Sequence, residues 1–396
     1  EHADADGANS IAIGGASADG DSGDATGAHS IAIGHDSDST ANFTVAIGSS
    51  AKTNTVGGIA IGPSSDARGA NYSVALGGET TATGDESIAI GKHADATGAN
   101  SIAIGGGSAD GDSADATGAE SVAVGKNSTA TGAQSIAVGR DTEATSGAGG
   151  AVVIGEGATA AAWNNVTIGQ NANCSSDADY AVALGGGTNC DADFTLAIGK
   201  HTDATALRAI AIGGAGNDSD SANSSGTDSV ALGAFTTATG AQSLAVGYGA
   251  LASDVGEFAR ANGNFSTAGD AQTSVYVVRN STTDATQTEL FMDGSSADIS
   301  IGSDSTVMFR VDIVARRTDA DGESAAYTIE GCVDNNAGTT ALVGSLTKAV
   351  IAEDTAGWDV TVTADDTNDG INILVTGEAS KTIRWVGRVT TVTVVG

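Results

Sequence analysis

The chain predicts an all-β protein in two parts, a parallel β-roll followed by a smaller domain of the β-sandwich or jelly-roll kind. Three observations carry that reading. A five-residue phrase of alternating apolar residues closed by glycine, as in Ser10-Ile11-Ala12-Ile13-Gly14 and Ser135-Ile136-Ala137-Val138-Gly139, recurs sixteen times between Ile11 and Gly247. Its closing glycines fall mostly 14 residues apart, and a short fixed period of one strand-like unit marks a solenoid. After Gly247 the phrase stops, and longer alternating runs separated by Asp, Asn and Gly turns take over.

Within the repeat, the positions three residues and one residue before each closing glycine hold Ile, Val or Leu, from Ile11 and Ile13 to Leu244 and Val246. Period-two alternation of branched apolar residues predicts a half-buried strand with these two positions facing the core. So short a strand buries almost nothing alone, and only stacked coils build a continuous core. Between the two sits Ala in fourteen of sixteen repeats, with Val153 and Thr167 departing. Read as the outer face, a row of such small apolar residues predicts close approach by sister copies, most simply in a homotrimer. The second half, seen in Lys92-His93-Ala94-Asp95-Ala96-Thr97-Gly98, alternates again with Ala94 and Ala96 inward, and glycine turns both corners.

The Ser-Ile/Val-Ala-Ile/Val-Gly strand and the Ala-x-Ala-Thr-Gly turn resemble the head repeats of trimeric autotransporter adhesins over roughly residues 1–247. That resemblance implies a left-handed roll with three chains around one axis. Residues 1–7 align with the repeat half at 92–98, so the chain opens within a repeat, and upstream sequence that docks the fibre is expected.

Residues 248–273 read as a glycine- and alanine-rich neck without strong strand signals, and 274–396 as the second domain. Strands are expected at 274–279, 307–317, 325–333, 358–363, 371–375 and 383–395. Trp358, Trp385 and Tyr327 lie on these runs and read as core, and Cys332 as a buried free thiol. Segments 264–273 and 314–320 are similar to a C-terminal module of tailed-virus fibres, which implies a tip that contacts host surface glycans or proteins.

With 49 acidic against 16 basic residues and a net charge of −33, the chain lacks the cations that nucleic acid and anionic membrane surfaces require. An aspartate-rich, lysine-poor surface stays hydrated in concentrated salt. No stretch approaches the roughly 20 apolar residues of a membrane helix.

Several residue groups stand out as candidate sites. The three twenty-residue steps place oxygen ligands at common offsets: Asp19, Asp21 and Asp24; Asp110, Asp112 and Asp115; Asp218, Asp220 and Asn223. Such spacing suits a Ca²⁺ loop and equally a solvated acidic insertion. Cys174 and Cys190 share one inward phase in consecutive coils, close enough for a disulfide or for two buried thiols. Phe43, Tyr72, Tyr180 and Phe194 occupy the most variable phase, and Trp163 a corner; these rings suit a glycan, a partner chain or the grooves between subunits. His2, His93 and His201 fall at one exposed phase, and Asp365, Asp366 and Asp369 read as a solvated turn.

Neither a Ser-His-Asp arrangement nor a phosphate loop or zinc motif is present, so no catalysis and no required cofactor are expected. The expected function is a homotrimeric fibre on the surface of a tailed virion, on tail or capsid, joined to a virion attachment protein and presenting an adhesive tip to the host. A cell-surface adhesin of a bacterium or archaeon is the rival, and a glycan-depolymerising spike the third reading.

Overall fold

The computed structural model describes residues 3–15, 22–69 and 71–396. Apart from single 3-10 turns at Asp110–Asp112 and Asp218–Asp220, the regular structure among the described residues is β. The chain divides into two compact units, Glu1–Ala197 and Ile198–Gly396.

In the first unit each coil contributes one three-residue and one two-residue strand, and each set stacks in register as a parallel sheet. Ile88, Ala89 and Ile90 stand opposite Ile102, Ala103 and Ile104, while Asp95 and Ala96 stand opposite Asp115 and Ala116. The faces are the reverse of the sequence expectation. Ala89, Ala103 and Ala137 are wholly buried, as are Val153 and Thr167 at the same position, whereas Ile61, Ile90 and Ile104 are 37–39% exposed. The alanines are therefore the core and the branched residues the outer row. Volume decides this: the opposing strand contributes mostly alanines such as Ala94 and Ala96, also fully buried, so the lumen holds a thin layer of small side chains, with single larger ones such as Val153 and Thr167, and an inward Ile in every coil would overpack it.

The two corners are built alike, which makes each 14-residue coil two seven-residue halves. At one, Gly27-Ala28-His29-Ser30, His29 adopts φ 59° and the buried Ser30 hydroxyl donates to the Gly27 carbonyl at 2.6 Å. At the other, Gly34-His35-Asp36-Ser37, Asp36 adopts φ 54° and Ser37 donates to Gly34 at 3.2 Å. The serine that opens each strand phrase is thus a turn clamp inside the coil, a role not read from the sequence. Glycine is required by close approach: a Cβ on Gly98 would lie 2.0 Å from the Gly118 carbonyl oxygen of the next coil.

The second unit begins with further coils and continues one beyond the sixteenth. Residues expected to form a neck carry strands Leu251–Ala252 and Phe258–Asn262. The latter pairs in parallel with Leu244–Tyr248, setting Phe258 beside Leu244 and Arg260 beside Val246. Phe and Arg in the outward positions and Ala261 at the closing-glycine position hide this coil from the motif. The other edge of Phe258–Asn262 pairs antiparallel with Ala271–Thr282, and there the parallel stack becomes an antiparallel domain.

That domain has a large sheet in the order Ala271–Thr282, Ile383–Val395, Ser305–Arg317 and Ser324–Asn335, the last also pairing with Thr340–Leu342 and Thr347–Glu353. A smaller sheet groups Gln287–Glu289, Ile299–Ser300 and Asp359–Asp365 around Gly370–Thr376. The expected strand 383–395 has the observed bounds, and the other five expected runs fall on observed strands. Thr347–Glu353, exposed at every residue, and the three shortest strands were not anticipated, because they lack alternation or length. One core joins both sheets, with Phe309, Ile313, Tyr327 and Trp385 meeting Val360, Val362, Ile373 and Val375. Trp358 and Trp385 pack as tilted rings 5.8 Å apart, and the Trp385 indole donates to Thr282 Oγ1 at 3.0 Å, so the expected core aromatics are buried. Cys332, expected to be buried, is half-buried and free.

Candidate functional site

Reversal of the strand faces leaves a double row of Ile, Val and Leu side chains on the outside of the three-residue strands, repeated coil after coil. Ile136, Ile154 and Ile168 belong to it and are 36–38% exposed. Such a row has no hydrogen-bonding chemistry and no concavity; what it can do is pack against another apolar surface.

The acidic loops divide. Asp19, Asp21 and the side chains of Asp110 and Asp218 lie outside the described residues. Asp24, Asp115 and Asn223 are on two-residue strands in register with Asp38, Asp95 and Asp203, so their common offset is the ordinary phase of the repeat and not a property of the loop. Asp112 accepts from the Ser108 hydroxyl at 2.9 Å and lies 3.4 Å from Lys126 Nζ; that hydroxyl, then the ammonium, lowers its pKa. Asp220 accepts from Ser219 at 3.3 Å. Among the described residues no group of three or more His, Cys, Asp or Glu side chains could hold a metal ion.

Cys174 and Cys190 are in-register neighbours, both wholly buried, with free thiols. Thr167 Oγ1 donates to Cys174 Sγ at 3.2 Å and the Cys190 thiol donates to the Val182 carbonyl at 3.4 Å. Hydrogen bonding with Cys190, and then burial, pushes the Cys174 thiol up.

The five candidate aromatics are 54–62% exposed, but each leans on the coil before it or after it. Phe43 stacks on His29 at 5.2 Å and Tyr180 on Phe194 at 5.5 Å. Tyr72 lies over Gly57 and Trp163 over Gly149, where an added Cβ would come within 2.5 and 2.8 Å of the rings. Stacked rings turn their faces to one another and their edges outward, an arrangement that ties coils together. His93, expected to be exposed, is buried, with Nδ1 3.3 Å from Glu79 Oε2; the left-handed corner folds its ring back over the coil.

A polar joint in the second unit was missed altogether, because it falls in the stretch read as a neck. Glu257 is buried and accepts from the Ser253 and Asp254 backbone amides at 2.8 and 3.1 Å, from Ser274 at 2.6 Å and from the Tyr276 hydroxyl at 3.1 Å. Asp254 accepts from both the amide and the hydroxyl of Ser300. These bonds fasten the last coil to both sheets of the C-terminal domain, beside a cavity of about 160 Å³ that Asp254, Glu257, Tyr276 and Ser300 help to line.

The YadA head domain repeat matches residues 25–51, 56–80, 69–94, 82–108, 116–142 and 224–250. These segments are part of the stack of coils that carries the outward row, and the chain contains YadA-type head repeats folded as a β-solenoid. No curated protein matches the chain.

Proposed function

We propose that the chain is a homotrimeric adhesive fibre, a β-roll shaft with a β-sandwich tip, that works by binding and not by catalysis. The observation that carries this is the outward Ile and Val row on repeats similar to the YadA head. Covering one such half-exposed side chain is worth on the order of 1 kcal/mol. Two per coil over sixteen coils outweighs an association cost of about 4–15 kcal/mol. Three copies per fibre multiply weak contacts with a host surface glycan or protein into avidity.

We read the fibre as virion-borne, on tail or capsid, because the C-terminal segments are similar to tailed-virus fibres. The matched head repeats favour a second reading, an adhesin on a bacterial or archaeal cell. Sedimentation of the full chain tests the assembly, and a lone subunit at micromolar concentration would remove its basis. Gold-labelled antibody on intact particles and cells separates the two locations. Shortening of host polysaccharide by the purified trimer would replace binding with catalysis.

A further inference from the structure

The outward face of the large C-terminal sheet is as unpartnered as the outer row of the coils. Directly paired residues share a face. The register places Val277 beside Arg388 and Arg279 beside Val386, then Val392 beside Met308 and Val386 beside Val314. Their neighbours Tyr276, Val278, Phe309, Ile313 and Val389 point into the core, so this set points out. Val277, Met308, Val314, Val386 and Val392 are 50–61% exposed, and Ile351 on the outermost strand is 65% exposed.

Charge sets this face apart from the rest of a chain with net charge −33. Six of the ten arginines, Arg260, Arg279, Arg310, Arg316, Arg384 and Arg388, occupy its outward register positions. Two of its three acids are already paired: Asp312 lies 2.6 Å from Arg388 and 3.0 Å from Arg310, and Glu330 lies 2.9 Å from Arg310, while Asp334 stands opposite Thr306 near the end of its strand. The face also continues the row of the coils within the same unit. Phe258 pairs with Leu244 on one side and with Val275 on the other, so the outward positions pass from coil to sheet without changing face.

We propose that this Val, Met and Arg face is an interface between copies of the chain, which carries the shaft contact through the C-terminal domain. The occupant is a second copy because the face is continuous with the row that the coils present. A copy this acidic can also approach closely only where basic residues outnumber the acids, and on this face six arginines stand against three acids. Exposed valines and methionine around paired arginines have the composition of an interface centre. Receptor contacts then fall to the smaller sheet and its loops. This inference rests on the trimeric reading above, and its test separates the two.

In a Cys332→Ser background, Met308→Cys and Val392→Cys are compared with Ala285→Cys, an exposed loop position in the same domain; Cys174 and Cys190 are wholly buried and do not react. The native full chain is treated with a maleimide while its sedimentation is recorded. We expect a trimer in which the two face positions label at least about tenfold more slowly than the loop control, with the difference abolished on unfolding. A trimer whose face positions label at the control rate overturns the interface and leaves the shaft assembly standing. Protection that arises only when alginate is added assigns the face to an acidic polymer and also overturns it. A lone subunit overturns both readings.

Discussion

At the scale of single residues, the central alanine and its two branched neighbours do different jobs although they alternate in one strand. Ala103 is inside and Ile104 outside. Ala103→Leu is therefore expected to overpack the lumen and to cost about 1–3 kcal/mol or more in an unfolding titration. Ile104→Ser should leave the melting of a single chain nearly unchanged and weaken association instead, and equal losses from both variants would contradict the assignment. Two carboxyls in the second unit set a pH dependence. Burial, with Glu257 nearby, pushes Asp254 up to about 6, and burial, with Asp298 and Asp365, pushes Glu289 up to about 7. Each holds its proton more tightly when folded. The stability each contributes is complete below about pH 4 and is lost as pH rises through about 6 to 7. The C-terminal unit should melt at a higher temperature at about pH 5 than at about pH 8, and Glu289→Gln should flatten the upper part of that slope; a melting temperature that climbs over this window would refute it.

At the scale of elements, the coil-to-sheet joint concentrates its strength in one side chain. Glu257→Ala would leave buried donors on Ser274 and Tyr276 without their acceptor, at a cost of about 3 kcal/mol. Glu257→Gln, which keeps the shape and one acceptor, should recover part of that in the same denaturant titration. The aromatic corners work through stacking between coils. Tyr180→Ala is expected to cost about 1 kcal/mol through the lost ring pair with Phe194. A loss of host binding without that loss of stability would instead show that the rings are contact residues.

At the scale of the whole molecule, a charge of −33 opposes both compaction and assembly. Salt should therefore raise the melting temperature and strengthen self-association between about 0.05 M and about 2 M, since the screening length falls from beyond 10 Å to a few ångströms. Melting and sedimentation that ignore salt over that range would mean that the acids are too dispersed to repel. The arginine-rich sheet face and the acid-free outer row of the coils are the surfaces where this repulsion is weakest.

Periodicity made the roll legible: sixteen closing glycines, strict alternation and small corner residues can be satisfied together only by stacked coils, and the long alternating strands of the second domain were visible for the same reason. Alternation states that a strand has two unlike faces, and leaves open which one is inside. Only the tertiary structure decided that, because the width of the lumen depends on what the opposite strand contributes, and with alanines such as Ala94 and Ala96 there the lumen takes a row of small side chains and expels a row of Ile. The seventeenth coil and the Glu257 joint were hidden likewise, since Phe258, Arg260 and Glu257 acquire their roles from partners on strands distant in the chain.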